Sequence, residues 1–172
     1  MSSIAEFRKQ KDAFFARDPH SPLTPQQRET FTGLSYYPED ESLCFEVTIE
    51  RFTGRDRSIV PMQTSTGTIV EYIRFGRFQF EVEGQPAELT VYVSPEGQDF
   101  FVPFMDATGG VETYSGGRYL ELEPLAGDHF LADFNMAYNP YCAYNDRWTC
   151  PIPPKENRLS VPIRAGEKDF KK

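Results

Sequence analysis

The chain has 172 residues, 39% hydrophobic and 26% charged, with a net charge of −8. That length suits one domain with a substantial core, and the balance excludes both a disordered chain and a membrane protein. Fifteen Phe, nine Tyr and one Trp, with fourteen Pro and twelve Gly, favour many short strands and turns around an aromatic core.

The first expected element is a helix from about Ile4 to Arg17, capped by Ser3 with Glu6 three residues on. Ile4, Phe7, Lys11 and Phe14 share a stripe beside Phe15, so Phe7 and Phe14 are expected to bury against the β core. Pro19 and Pro22 end this helix, and Thr24-Pro25-Gln26-Gln27 starts a shorter one that stops near Phe31 at Gly33. Residues 1–33 therefore read as an N-terminal helical segment.

Beyond residue 43 the period changes to two. Phe45, Val47 and Ile49 alternate with polar residues, as do Phe78, Phe80 and Val82, then Leu89, Val91 and Val93. Turn chemistry separates them at Glu83-Gly84-Gln85-Pro86 and Ser94-Pro95-Glu96-Gly97. Residues 68–75, 99–104, 118–123, 129–135 and 159–164 are further strand candidates. The spacing predicts a mainly β fold: an antiparallel β-barrel or sandwich with an N-terminal helical segment, in one domain (1–172) whose β core runs 43–167. Two polar segments, 103–118 and 133–157, break the alternation, and loops of that length are often functional.

Charge narrows the partners. Residues 71–133 carry twelve acids against three bases, whereas 140–172 carry seven bases against four acids. Nucleic acid would need a basic stripe, and the acidic middle argues against one. Charges at Glu6, Arg8 and Lys9 stand where a signal peptide would be apolar, and no run approaches about 18 apolar residues, so no membrane association is expected. Three cysteines do not make a disulfide scaffold, and the expected compartment is the cytoplasm.

The two polar segments hold the candidate site. Glu112 and Arg118 flank glycine pairs; Arg118 would clamp a carboxylate or phosphate, with Glu112 as general acid or base. The structural alternative is a wide hairpin closed by a Glu112–Arg118 ion pair. Asp133 and Asn135, two apart on a strand pattern, would share one face; Asp133 is a second catalytic carboxylate candidate and a natural partner for Arg118. The alternative there is a network tying down the loop. Asp106, Tyr114, Asn135, Tyr138, Asn139 and Asn157 complete the expected ligand-binding set, and Tyr138, Tyr141, Tyr144 and Trp148 could form a stacking platform or simply a core. Cys142 and Cys150 are spaced too far apart for a zinc site, with only His20 and His129 to complete one, so neither a metal nor a cofactor is expected. A nucleophilic Cys142 with His129, a disulfide across the loop and two buried thiols all remain open.

Both segments carry a resemblance. Pro103-Phe104-x-Asp106-x-Thr108-x-Gly110-x-Glu112-Thr113-Tyr114, running on to Gly117-Arg118-Tyr119-Leu120, resembles one block of a prokaryotic domain-of-unknown-function family, numbered 1684. Asp133-Phe134-Asn135-x-Ala137-Tyr138-Asn139-Pro140-x-Cys142-Ala143-Tyr144 resembles another. So do Cys150-Pro151-x-Pro153-Pro154-x-Glu156-Asn157-Arg158-Leu159 and Ala165-Gly166-Glu167, with Ser21-Pro22-Leu23 and Phe31-x-Gly33-Leu34 matching the N-terminal part. The resemblance implies membership without an activity, and implies that these blocks are the family's shared feature. The resulting expectation is a soluble domain binding a polar or anionic small molecule, with catalysis and homo-oligomerisation left open. Its rival is a non-catalytic structural or protein-interaction module whose polar residues only staple the loops.

Overall fold

In a computed structural model of the chain, residues 3–97 and 99–170 are described. Met1 and Ser2 of the expected helical segment, and Lys171 and Lys172 of the basic tail, lie outside them. The order is α1 (Ile4–Arg17), α2 (Pro25–Thr30), β1 (Cys44–Thr48), β2 (Glu50–Arg51), β3 (Ile59–Gln63), β4 (Ile69–Val82) and β5 (Gln85–Val93). Then follow β6 (Phe100–Phe104), β7 (Arg118–Leu120), β8 (Glu123–Pro124) and β9 (His129–Asp133), with 3-10 turns at Phe134–Met136, Tyr141–Ala143 and Lys155–Asn157.

Local chemistry sets the helix ends. The Glu6 N–H donates to Ser3 Oγ at 3.1 Å, and Thr24 with Gln27 forms a reciprocal capping box around Pro25. The buried face of α1 differs from the expected one. Phe7 is 40% exposed and Phe14 half-buried, whereas Phe15 is fully buried, its ring 5.0 Å from that of Tyr144. The helix packs on the 133–157 loop and on Leu23, not on the sheets, and this rotates the apolar contact by one residue.

The strands form two antiparallel sheets, β1-β9-β8 and β2-β4-β5-β6-β7, with β3 paired to β4. Their inner faces meet across an aromatic core: Phe45 lies 5.2 Å from Phe80, and Phe100 lies 5.4 Å from Phe130. Among the described residues both sheets remain open, so the layered alternative describes the fold and a closed barrel does not. Residues 68–75 and 78–82 belong to one strand, β4, whose register against β5 shifts between Arg74 and Gly76. The β4–β5 turn is tighter than expected, with Glu83 at φ 52° and Gly84 at φ 78°, the positive-φ pair that a two-residue hairpin needs. Strand β3 was not expected, because Ile59-Val60-Pro61-Met62 shows no apolar–polar alternation in sequence, although its burial alternates with Met62 inward.

Two further differences bear on the site. Asn135 is not on a strand: β9 ends at Asp133, and Asn135 lies in the following 3-10 turn. Residues 159–164 are buried in part but form no strand: Leu159 N and Val161 O bond to the backbone of Met105 and Ala107, and side chains take the N–H and carbonyl of Ile163.

Candidate functional site

Arg118 begins β7 opposite Phe104 and is 1% exposed. Its Nη1 donates to the carbonyls of Ala165 (2.5 Å) and Glu167 (3.2 Å). Its Nη2 donates to Ile163 O (2.9 Å) and Asp106 Oδ1 (3.3 Å). Burial lowers the Arg118 pKa, and the Asp106 carboxylate opposes that shift. Asp106 works from the other side: its Oδ2 accepts from Ile163 N at 2.6 Å and from Thr108 Oγ1 at 2.7 Å. One buried ion pair thus takes both backbone groups of Ile163 and the carbonyls of Ala165 and Glu167, while Gly166 O and Glu167 N bond to the backbone of Tyr37 and Ala137.

The expected partners of Arg118 are elsewhere. Glu112 accepts from Tyr37 Oη at 2.8 Å and pairs with Arg164 at 3.4 Å, not with Arg118. Burial, then the hydrogen bond to Glu112, pushes the Tyr37 phenol up to about 12. Asp133 Oδ1 accepts from the backbone N and the side-chain Nδ2 of Asn135, at 3.0 and 2.9 Å. Asn135 also exchanges two bonds with the Asp40 backbone, both 2.9 Å. The expected meeting of Arg118 with Asp133 fails because β9 pairs with β1 and β8, while β7 pairs with β6. Asn157 is fully buried; its Nδ2 donates to Thr90 O and Pro103 O, and its Oδ1 accepts from Thr90 N.

Glu167 is a buried hub that the candidate set omitted. At 1% exposure it takes Lys11 Nζ at 2.8 Å, Asn139 Nδ2 at 2.9 Å and the Tyr144 hydroxyl, joining α1, the loop and the C-terminal segment. Burial and then the nearby Glu167 charge drive the Tyr144 pKa well above its ordinary value. Gly166, at φ 81°, makes this close approach feasible: a Cβ there would lie 2.7 Å from the carbonyls of both Ala137 and Phe134.

Beside this hub runs a groove along α1. One hollow of about 480 Å³ is lined by Phe7, Lys11, Glu121, Glu123, Asp133 and Tyr138, among others. A second, of about 360 Å³, shares Phe7, Lys11 and Tyr138 with it and adds Asn139, Tyr141 and Tyr144. Of the expected site residues, Asp133, Tyr138 and Asn139 therefore meet here, whereas Glu112, Arg118, Asp106, Asn135 and Asn157 do not line it. Tyr138 Oη donates to Glu121 at 3.2 Å. Asn139 Nδ2 is held by Glu167 and Lys168, while its buried Oδ1 has no partner among the described residues. Other hollows, of about 510 Å³ at Gln79–Glu88 and about 610 Å³ beside Tyr92, are larger and shallower, and neither has such an unpaired acceptor.

Tyr114 belongs to a third place. Its Oη lies 3.5 Å from Cys142 Sγ, and the Cys150 thiol lies beside Cys142. His129, the expected partner of Cys142, instead sits on β9 beside Thr48 Oγ1 at 3.2 Å. Among the described residues, no three His, Cys, Asp or Glu side chains converge as metal ligands would, and no helix is long and apolar enough to cross a membrane.

The family model described as "Protein of unknown function (DUF1684)" matches residues 29–168. The chain belongs to this family. It is also similar to an uncharacterized protein of Haloarcula marismortui solved by solution NMR, at 37% identity, covering 96% of this chain and 91% of that one, with a TM-score of 0.71. No curated protein matches the chain. The resembling blocks quoted from the sequence hold the Asp106–Arg118 pair, Asn157 and the Glu167 hub. Glu167 could have been singled out from Ala165-Gly166-Glu167, the only acid in a short block. Lys11 had no such signal, because it reaches Glu167 across 156 positions.

Proposed function

We propose that this DUF1684 chain is a small-molecule-binding domain whose site is the groove along α1. The observation that carries this reading is Asn139, which lines a groove walled by Phe7, Tyr138 and Tyr141 and whose buried Oδ1 has no partner among the described residues. A buried polar atom costs free energy until it is paired, so a ligand donor (N–H or O–H) is favoured there. Aromatic rings beside it favour a flat apolar body. Charge selects among polar ligands. Glu121, Glu123 and Asp133 line one end, while the Lys11 ammonium is already taken by Glu167, so a neutral or cationic molecule fits better than an anion. Binding rather than catalysis is the favoured activity, because Glu112 and Asp133 share no partner and only Asp133 reaches the groove.

The rival reading, polar residues as staples, has its own support in Asp106, Arg118, Asn135 and Asn157, each bonded internally. The two readings divide the residues between them: those four hold the loops, and the loops form the wall of the groove. The deciding experiment is an amide chemical-shift screen with aromatic amines, neutral sugars and, as controls, benzoate and phosphate. Amines or sugars should shift the signals of Phe7, Tyr138 and Asn139, and Tyr141→Ala should weaken binding about tenfold, near the upper end for one aromatic contact. Preference for the anions, or hits mapping away from α1, would overturn the assignment.

A further inference from the structure

Cys142 and Cys150 lie outside the groove's bonding network, and their surroundings are those of a reactive pair. Cys142 is the middle residue of the 3-10 turn Tyr141–Ala143 and is partly accessible, whereas Cys150 is buried. The backbone of Cys150 is clamped to the 63–65 segment: its N–H donates to Ser65 Oγ at 3.2 Å, and its carbonyl accepts from Ser65 N at 2.9 Å. That clamp sets the Cys150 thiol beside Cys142, whose Sγ lies 3.5 Å from the Tyr114 hydroxyl. Two potential donors, the Tyr114 hydroxyl and the Cys150 thiol, thus face one sulfur, an arrangement that stabilises a thiolate. Cys44, the third cysteine, lies on β1 with its thiol disfavoured as an anion by burial and by Asp133.

We infer that Cys142 and Cys150 form a redox-active dithiol that exchanges with small disulfides, Cys142 attacking and Cys150 resolving. The Cys142 thiolate attacks one sulfur of RSSR, breaking its S–S bond, forming Cys142–S–SR and releasing RS⁻. Cys150 then gives up its proton to that RS⁻, and its sulfur displaces the second RS⁻ as the Cys142–Cys150 bond forms. The pair loses two electrons, and RSSR gains them to leave as RSH and RS⁻. Tyr114 serves as a positioning residue that donates to the Cys142 thiolate; burial first, and then Cys142 itself, raise its pKa, so it keeps its proton. The hydrogen bond from Cys150, opposed by burial and aided by Tyr114 and Ser65, keeps the Cys142 pKa below its ordinary value, while Cys150 is shifted upward. Order of exposure and order of acidity therefore agree.

The probe is oxidised glutathione applied to the fully reduced protein. Two thiols should disappear, a peptide linking residues 142 and 150 should be recovered, and Cys44 should remain free. C150S should stop at a glutathione adduct on Cys142, whereas C142S should form no adduct on Cys150. Closing the short loop should raise the melting temperature by about 5–10 °C relative to the reduced form. Y114F should move the pH midpoint of Cys142 alkylation upward without unfolding the chain, a shift that a packing role alone would not produce. Where a variant fails to fold, iodoacetamide mapping of the wild type at pH 7 decides: Cys142 should react at least about tenfold faster than Cys44. Three thiols persisting under excess oxidised glutathione, or equal labelling of Cys44 and Cys142, would overturn the inference.

Discussion

Arg118→Ala tests whether a single buried guanidinium does the work of a strand partner. The substitution strips donors from the carbonyls of Ile163, Ala165 and Glu167, and leaves the Asp106 carboxylate buried beside an empty space. Removing one member of a buried pair costs about 3–5 kcal/mol, because the other charge remains uncompensated. For a chain of this length, about 2–4 °C of melting temperature accompanies each kcal/mol, so a fall of about 6–20 °C is expected by calorimetry. Asp106→Asn alone and the double substitution close a thermodynamic cycle whose coupling term isolates the pair. Hydrogen exchange supplies a local readout: the Ile163 amide, held by Asp106 Oδ2, should lose its protection before the β4–β5 amides do. A melt within about 2 °C of wild type, under 1 kcal/mol by the same conversion, would refute the account.

Asn157→Ala should cost about 3 kcal/mol or more by chemical denaturation, since it orphans Thr90 N, Thr90 O and Pro103 O in the core. Gly166→Ala should destabilise far more than Gly84→Ala: both have positive φ, but only at Gly166 does the new Cβ meet carbonyls at 2.7 Å, against open space at Gly84. The hairpin variant should cost about 1–2 kcal/mol, from backbone conformation alone. Alkali should unfold the protein. Burial raises the pKa of Tyr36, Tyr92, Tyr119 and Tyr138 and, with Glu112, that of Tyr37 to about 12. Unfolded tyrosine ionises near about pH 10, so above that the unfolded state binds fewer protons and stability falls as pH rises. Below it the contribution is present in full. Melting curves from pH 8 to 12 with tyrosinate absorbance should show ionisation and unfolding together; ionisation of these rings in the folded state would contradict the burial.

Local chemistry was legible in the sequence wherever neighbours in the chain decide the outcome. Ser3 with Glu6, and Thr24-Pro25 with Gln27, mark helix starts because their capping partners lie three residues away. The alternation at residues 45, 47 and 49, and at 78, 80 and 82, marks strands because a pleat sends alternate side chains to opposite faces. Class, antiparallel layering and family blocks followed from such short-range patterns. Whether the sheets close, which face of α1 is buried and what each polar residue touches did not. Those depend on contacts between residues far apart in sequence: Lys11 with Glu167, Asp40 with Asn135, and Arg118 with a segment some 45 positions on. The 159–164 segment looks like a strand in sequence, but its pairing with Met105 and Ala107 goes no further than Val161, and Asp106 and Arg118 take both backbone groups of Ile163. A buried charge takes whichever opposite charge and free carbonyls the fold sets beside it, and no spacing rule along the chain specifies that choice.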